Sequence, residues 1–320
     1  MKHYKAFILF MVAAAISLGS CQKDPQKEVE KGDWNKEKRI ISLSFERQAG
    51  DASISINADD ASRGTIEVTI VNPDLSEPLL IKKMEISYGA TASVAAGQTL
   101  AFNETTNTAE ITVTAATGGA SRVYTVSVNP LVENIVGTWE ITGMNIFGGT
   151  GADYGGVDFV NLFTDASWWD PTTGPAAELD NTLEFVFEGV DDSGCTYGTC
   201  THSAGADGLY ADFVWVGSIP DGQTVTDVNY NYRKIPAGES TWKRNYTDGT
   251  ITFTSADNVT TTCTMVESGT IEYWGKTLTI NDNALKFTGL QSVGSWGPIY
   301  DVYDKIVYAP WDFYVQIKKR

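Results

Sequence analysis

The chain has 320 residues, 42% of them hydrophobic, and its 40 Asp and Glu against 23 Lys and Arg give a formal net charge of -17. This acidity argues against nucleic acid or anionic lipid as a partner, since both reward Lys and Arg. Only two histidines and four cysteines are present, so Ser-His-Asp and His-rich metal schemes have almost no raw material.

The chain opens with basic Lys2, His3 and Lys5 and an apolar run from Ala6 to Leu18 broken only by Ser17. That run is too short for a spanning helix and has the layout of a secretory signal. It ends in Leu18-Gly19-Ser20-Cys21, which resembles a bacterial lipoprotein signal. The resemblance implies that residues 1–20 are removed and that Cys21 is lipidated, with several acyl chains giving a stable anchor. Gln22-Lys23-Asp24 is similar to the short acidic sorting signals that send some lipoproteins to the outer face of the outer membrane. Residues 21–39 are mostly Lys, Glu and Asp with few apolar side chains besides Val29 and Trp34, which predicts a flexible tether. No later apolar run is long enough to span a membrane as a helix.

Residues 40–130 change character. Ile41–Phe45, Ser53–Ile56, Thr65–Ile70, Glu110–Thr114 and Val123–Val128 alternate with period two, separated by turn formers such as Gly50-Asp51, Asn72-Pro73-Asp74 and Gly118-Gly119. Short strands at this spacing predict a β-sandwich. Ile86–Ala90, Phe102, Ile111–Ala115 and Tyr124–Val128 resemble the small immunoglobulin-like modules that stand next to the tether in glycan-capturing surface lipoproteins, where the module is a spacer. Asn129-Pro130 is expected to end the last strand and mark the boundary, because Pro has no ladder donor.

Residues 131–320 hold eight of the nine Trp and eleven of the fourteen Tyr. Alternating runs continue from Val136–Ile141 to Trp311–Ile317 with almost no helical period, so the chain is predicted to be all-β, this second domain being a lipocalin-like barrel or a jelly-roll sandwich. Ile135–Ile141 resembles the Gly-x-Trp first strand of lipocalin-like barrels. Alternation places Trp139 in the core, and Trp311 there with Phe313, Val315 and Ile317. With Cys21 lipidated, three cysteines remain. Export favours a Cys195–Cys200 disulfide with Cys263 free and buried; the rivals are free thiols or a zinc site of Cys195, Cys200, His202 and Cys263. Glu184 and Glu188 share a strand face, which suits a solvated surface more readily than a glycosidase pair. Asp153, Asp158, Asp191 and Asp192 lie in Gly-containing loops but lack a calcium-loop pattern. No cofactor and no catalytic residue is expected.

Trp168-Trp169 lies among turn formers with Asp165 and Asp170 on either side, and Trp296 stands in Gly294–Pro298 just before Tyr300. Neighbouring extended residues point to opposite sides, so at least one of the Trp pair is expected to be exposed. Exposed indoles beside carboxylates suit a sugar, whose apolar face stacks while its hydroxyls hydrogen-bond; the alternative is that these Trp plug the end of the domain. Anchor, tether, spacer and Trp-rich domain together resemble the accessory glycan-binding lipoproteins of starch-utilisation-type uptake systems. The resemblance implies non-catalytic capture of an oligosaccharide or polysaccharide on the outer membrane, facing the exterior, with an uptake complex as a further partner. Two other readings stay open: an adhesive or structural lipoprotein that meets a protein, and a lipocalin-like carrier of a small apolar ligand. An open aromatic platform favours glycan, a flat apolar patch protein, and an enclosed apolar cavity the carrier.

Overall fold

A computed structural model describes residues 35–151, 156–164, 168–219, 224–293 and 301–320. The chain is all-β and forms two compact units that divide after Pro130, except that Arg47–Asp51 groups with the second.

The first unit contains β1 (Ile40–Phe45), β2 (Gln48–Ile56), β3 (Arg63–Val71), β4 (Leu79–Ile86), β5 (Thr91–Ala92), β6 (Thr99–Leu100), β7 (Thr108–Thr114) and β8 (Ser121–Leu131). They make two sheets, ordered β1-β4-β6 and β2-β3-β8-β7-β5. The alternation that marked the strands sends Ile66, Val68 and Ile70, Ile111 and Val113, and Tyr124 and Val126 into one core with Phe45 and Ile81. Tyr124 spends its hydroxyl inside that core, accepting the Ile40 N–H at 3.2 Å. One expectation needs correcting. β8 continues through Pro130 to Leu131, so Pro130 marks the boundary without ending the strand.

The second unit contains β9 (Gly137–Gly148), β10 (Asp158–Asn161), β11 (Thr182–Val190), β12 (Thr196–Ser203), β13 (Gly238–Asn245), β14 (Thr250–Ser255), β15 (Thr260–Tyr273), β16 (Lys276–Phe287) and β17 (Pro310–Lys319), with a short α-helix, α1 (Asn229–Tyr232), a 3-10 turn at Pro175–Glu178 and a π-helical turn at Asp304–Tyr308. Each strand from β11 to β17 pairs antiparallel with the next, β11 also pairs with β9, and β17 returns to β9. Eight strands therefore close into a barrel, with β10 added outside on the β9 edge. The barrel is the outcome between the two predicted architectures, and closure removes the exposed edges that an open sheet would have.

Trp139 is 2% exposed, as its strand position predicted, and its indole N–H donates to Ile135 O at 2.6 Å while the Lys319 ammonium lies 5.4 Å from the ring centre. Beside it Glu133 is buried and takes three partners: Thr196 Oγ1 at 2.6 Å, the Tyr246 hydroxyl at 2.5 Å and Arg244 at 2.8 Å. A carboxylate buried this deeply is tolerable because each oxygen is hydrogen-bonded and the charge is paired.

The β15–β16 hairpin is longer than its partners and bulges between Glu267 and Gly269. Its distal part lies against the outer wall, where Leu278, Ile280 and Tyr273 pack with Phe147, Val157, Phe159 and Tyr314 in a second small core. That explains why β9 is buried on both faces after Gly143: Met144 and Ile146 face the interior, and Phe147 faces this arm.

The expected disulfide does not form. Cys195, Cys200 and Cys263 are free and buried. Cys195 immediately precedes β12, so five extended residues, about 16 Å of chain, separate it from Cys200, beyond the roughly 7 Å that a bridge can span. Burial pushes the Cys200 thiol up to about 12, and it pushes Cys263 higher still, with the Cys200 charge adding to it. Both are unreactive core residues. Among the described residues no group of three His, Cys, Asp or Glu is placed to hold a metal.

Candidate functional site

The loops between strands at one end of the barrel fold inward. Trp169 is 2% exposed, forms a backbone bridge with Trp215, and packs its ring against Trp215 at 5.5 Å and Phe213 at 6.3 Å. Trp168 is half-buried with its ring 5.4 Å from that of Trp215. Phe213 and Trp215 continue into Tyr232 and Tyr303, whose hydroxyls donate to Ile306 O and Val225 O. Trp169 thus belongs to a plug joined to the barrel core, and the expectation of a Trp168-Trp169 platform is corrected to that extent. Asp170 has one oxygen committed to the local turn. Its Oδ1 accepts the Thr172 and Thr173 N–H groups at 2.8 and 2.9 Å, which closes the turn; the Thr173 contact foremost, then that of Thr172, holds the carboxyl below its ordinary value. Asp165, Trp296, Tyr300 and the lipidation residue Cys21 lie outside the described residues.

Exposed indoles do exist, on the outer wall. Trp274 is 51% exposed and Trp311 is 40% exposed; their ring centres are 4.7 Å apart at 84°, and Phe147 packs behind both, at 6.0 and 5.8 Å. The two perpendicular rings make a solvent-facing corner. Trp274-Gly275 forms the two-residue turn between β15 and β16, with Tyr273 paired to Lys276 and φ of +47° and +76° at the two turn positions. This is the type I′ turn that hairpin twist favours, and it normally takes Asn or Asp before Gly. A bulky residue at positive φ is disfavoured. Trp311 reaches the surface because the β17–β9 register shifts between Pro310 and Asp312. One extra residue turns its side chain away from the face that Phe313, Val315 and Ile317 share, which corrects the core assignment made from alternation. Polar groups flank the corner. Lys276 pairs with Asp158 at 2.9 Å, and Lys286 pairs with Asp312 at 3.0 Å while donating to the Tyr273 hydroxyl at 2.9 Å.

Beneath the plug lies a cavity of about 420 Å³. Its walls include Met144, Phe213, Tyr232, Ile235 and Val315, and its polar side is Glu178, His202, Tyr210 and Arg233. Glu178 and His202 are buried at 5% and 4% exposure and meet at 2.8 Å between Oε2 and Nε2. Burial opposes the Glu178 charge. The hydrogen bond and charge of His202, with the N–H groups of Ala211 and Asn181, nevertheless hold this carboxyl below its ordinary value. The turn Trp274-Gly275 could have been found in the sequence, since a Trp-Gly pair between two alternating runs reads as a hairpin tip. The Glu178–His202 contact joins residues 24 apart and carries no local signal. Glu184 and Glu188 are both exposed on the outer face of β11, and Asp191 closes a turn by accepting the Ser193 and Cys195 N–H groups.

No family model matches the chain, and no curated protein matches it. A crystal structure from Bacteroides thetaiotaomicron, provisionally described as a glycoside hydrolase, is 11% identical with a TM-score of 0.24; the match covers 89% of this chain and 97% of that one. Similarity at that level carries no argument about this chain.

Proposed function

We propose that this chain is a non-catalytic cell-surface lipoprotein that captures an oligosaccharide or polysaccharide, with Trp274 and Trp311 as its platform in place of the Trp168-Trp169 pair. The observation that carries the reading is the solvent-facing indole corner, where two local departures from strand regularity bring two aromatic rings to the surface. A pyranose stacks its apolar face on one ring while the neighbouring unit of the chain meets the other. Lys276, Asp158 and Asp312 are the hydroxyl partners at hand. A protein partner fits less well. At 51% and 40% exposure the two rings offer together roughly 200 Å², against the roughly 800 Å² per partner of a stable protein interface. The lipid anchor at Cys21 and the outward-facing outer-membrane location belong to the same proposal and rest on Leu18–Cys21 and Gln22–Asp24.

A glycan array probed with the mature protein, with hydrolysis products assayed in the same wells, tests it. Retention of one glycan class without cleavage is the expected result. Cleavage of the bound glycan, or no retention of any glycan, would overturn the reading.

A further inference from the structure

A groove of about 300 Å³ lies on the outer wall of the barrel, the wall that also carries the indole corner. Ile251, Cys263 and Phe287 point into the core, so their neighbours in β14, β15 and β16 face outward. Thr250, Thr262, Thr264, Lys286 and Thr288 line the groove together with Lys234, whose ammonium donates to Tyr230 O at 3.1 Å. Thr262 and Thr288 are exposed, and Thr250 and Thr264 are half-buried. Among the described residues that line it there is no Asp or Glu.

Strand register joins this groove to the corner. Cys263 pairs with Phe287 and Phe287 with Phe313, so Thr262, Thr288 and Asp312 occupy the next row, and Asp312 adjoins Trp311 in the chain. Lys286 spans the gap. It lines the groove, pairs with Asp312 at 3.0 Å and donates to the Tyr273 hydroxyl at 2.9 Å, and Tyr273 adjoins Trp274. From β17 to β15 is two strand spacings, about 10 Å, so a ligand that touches both the indoles and the threonines has to be longer than one sugar ring. A threonine presents a methyl group beside a hydroxyl that both donates and accepts, which suits the mixed apolar and hydroxylated surface of a sugar. Asp312 already neutralises Lys286, and a net charge of -17 disfavours a polyanionic chain. We infer, resting on the glycan reading of the corner, that the site continues past Lys286 into the threonine groove and takes an uncharged glycan chain of several units laid across the strands. The indoles stack the units at one end, and the threonine hydroxyls hydrogen-bond those that follow.

The test is titration calorimetry of the mature protein with di-, tetra- and hexasaccharides of the malto, cello, laminari, xylo and manno series and of whichever glycan the array retains, with oligogalacturonate of the same lengths as the charged comparison. In the series that binds, the hexasaccharide should be at least about tenfold tighter than the disaccharide. Thr262→Val/Thr264→Val/Thr288→Val removes three hydroxyls while keeping side-chain shape and strand preference. It should weaken the hexasaccharide about tenfold and leave the disaccharide within about twofold of wild type, whereas Trp274→Asn/Trp311→Ala should weaken both lengths. A hexasaccharide no tighter than the disaccharide, or one that the triple variant binds as wild type does, would overturn the groove and leave the corner standing. Tightest binding of oligogalacturonate would overturn the uncharged chain, and no binding in any series would overturn corner and groove together. If the triple variant does not fold, Thr288→Val alone, at an exposed position beyond β16, replaces it, with a loss of about threefold for the hexasaccharide expected and no loss as the contrary result.

Discussion

Replacing Trp169 with Ala separates a plug from a platform. The side chain is 2% exposed, and an indole of this burial removes about 150–250 Å² from water, worth roughly 4–6 kcal/mol at 25 cal/mol per Å². Edge-to-face contacts with Trp215 and Phe213 add on the order of 1 kcal/mol. Against this, the indole N–H of Trp169 is buried without a partner, a penalty of about 1–3 kcal/mol that truncation would relieve. The net loss is then about 3–5 kcal/mol, in the range found for large aromatic truncations. For a unit of this size, each kcal/mol moves the melting temperature by about 2–4 °C. Trp169→Ala should therefore lower the calorimetric transition of the barrel by roughly 6–20 °C and leave that of the first unit in place. Trp168→Ala should cost less, because Trp168 is half-buried. A Trp169→Ala protein whose barrel melts within about 2 °C of wild type would refute the plug.

Other perturbations follow from the same packing. Asp304 is 1% exposed, and burial pushes its carboxyl up to about 6, with Lys305 opposing and Asp301 adding to the shift. A raised folded-state value means that the neutral acid is favoured, so its contribution is present at pH 4 and lost as the pH rises through 6. Asp304→Asn should therefore be neutral at pH 4 and stabilising by on the order of 2 kcal/mol at pH 8; equal effects at both pH values in denaturant titrations would contradict this. Glu133→Ala removes the acceptor of Thr196 and Tyr246 and the ion-pair partner of Arg244, which keeps only Asn134 as a hydrogen-bond partner, and should cost about 3–5 kcal/mol, measured by urea unfolding, with a loss under about 1 kcal/mol as the contrary result. Cys21→Ala should shift the protein from the membrane to the soluble fraction; a variant that still pellets after a high-salt wash would end the lipid-anchor proposal.

Much of the fold was legible because burial in a β-domain alternates residue by residue. Ile66, Val68 and Ile70, or Ile111 and Val113, announce their core face in the sequence, and Gly137-Thr138-Trp139 announces the first barrel strand. Alternation fails where register does. Trp311 reads as core beside Phe313, and only the shift between Pro310 and Asp312 turns it outward. Composition fails differently at Trp168-Trp169. Turn formers predict irregular backbone, yet they cannot say whether the loop lies on the surface or folds into the barrel, which depends on distant partners such as Trp215. The disulfide expectation counted cysteines without knowing that an extended strand would hold two of them apart. The Glu178–His202 pair depends on contacts that no spacing rule encodes.

Trp274 offers the most direct test of the proposed platform, since Asn-Gly is the sequence that its turn prefers. Trp274→Asn should keep or improve hairpin stability, so any loss of function is not a loss of fold. The decisive measurement is the affinity of Trp274→Asn/Trp311→Ala for whichever glycan the array retains, beside its melting temperature. Stacking worth about 1–3 kcal/mol per ring corresponds to a loss of at least tenfold in affinity with the barrel transition within a few degrees of wild type. Glycan affinity unchanged in the double variant would contradict the platform outright.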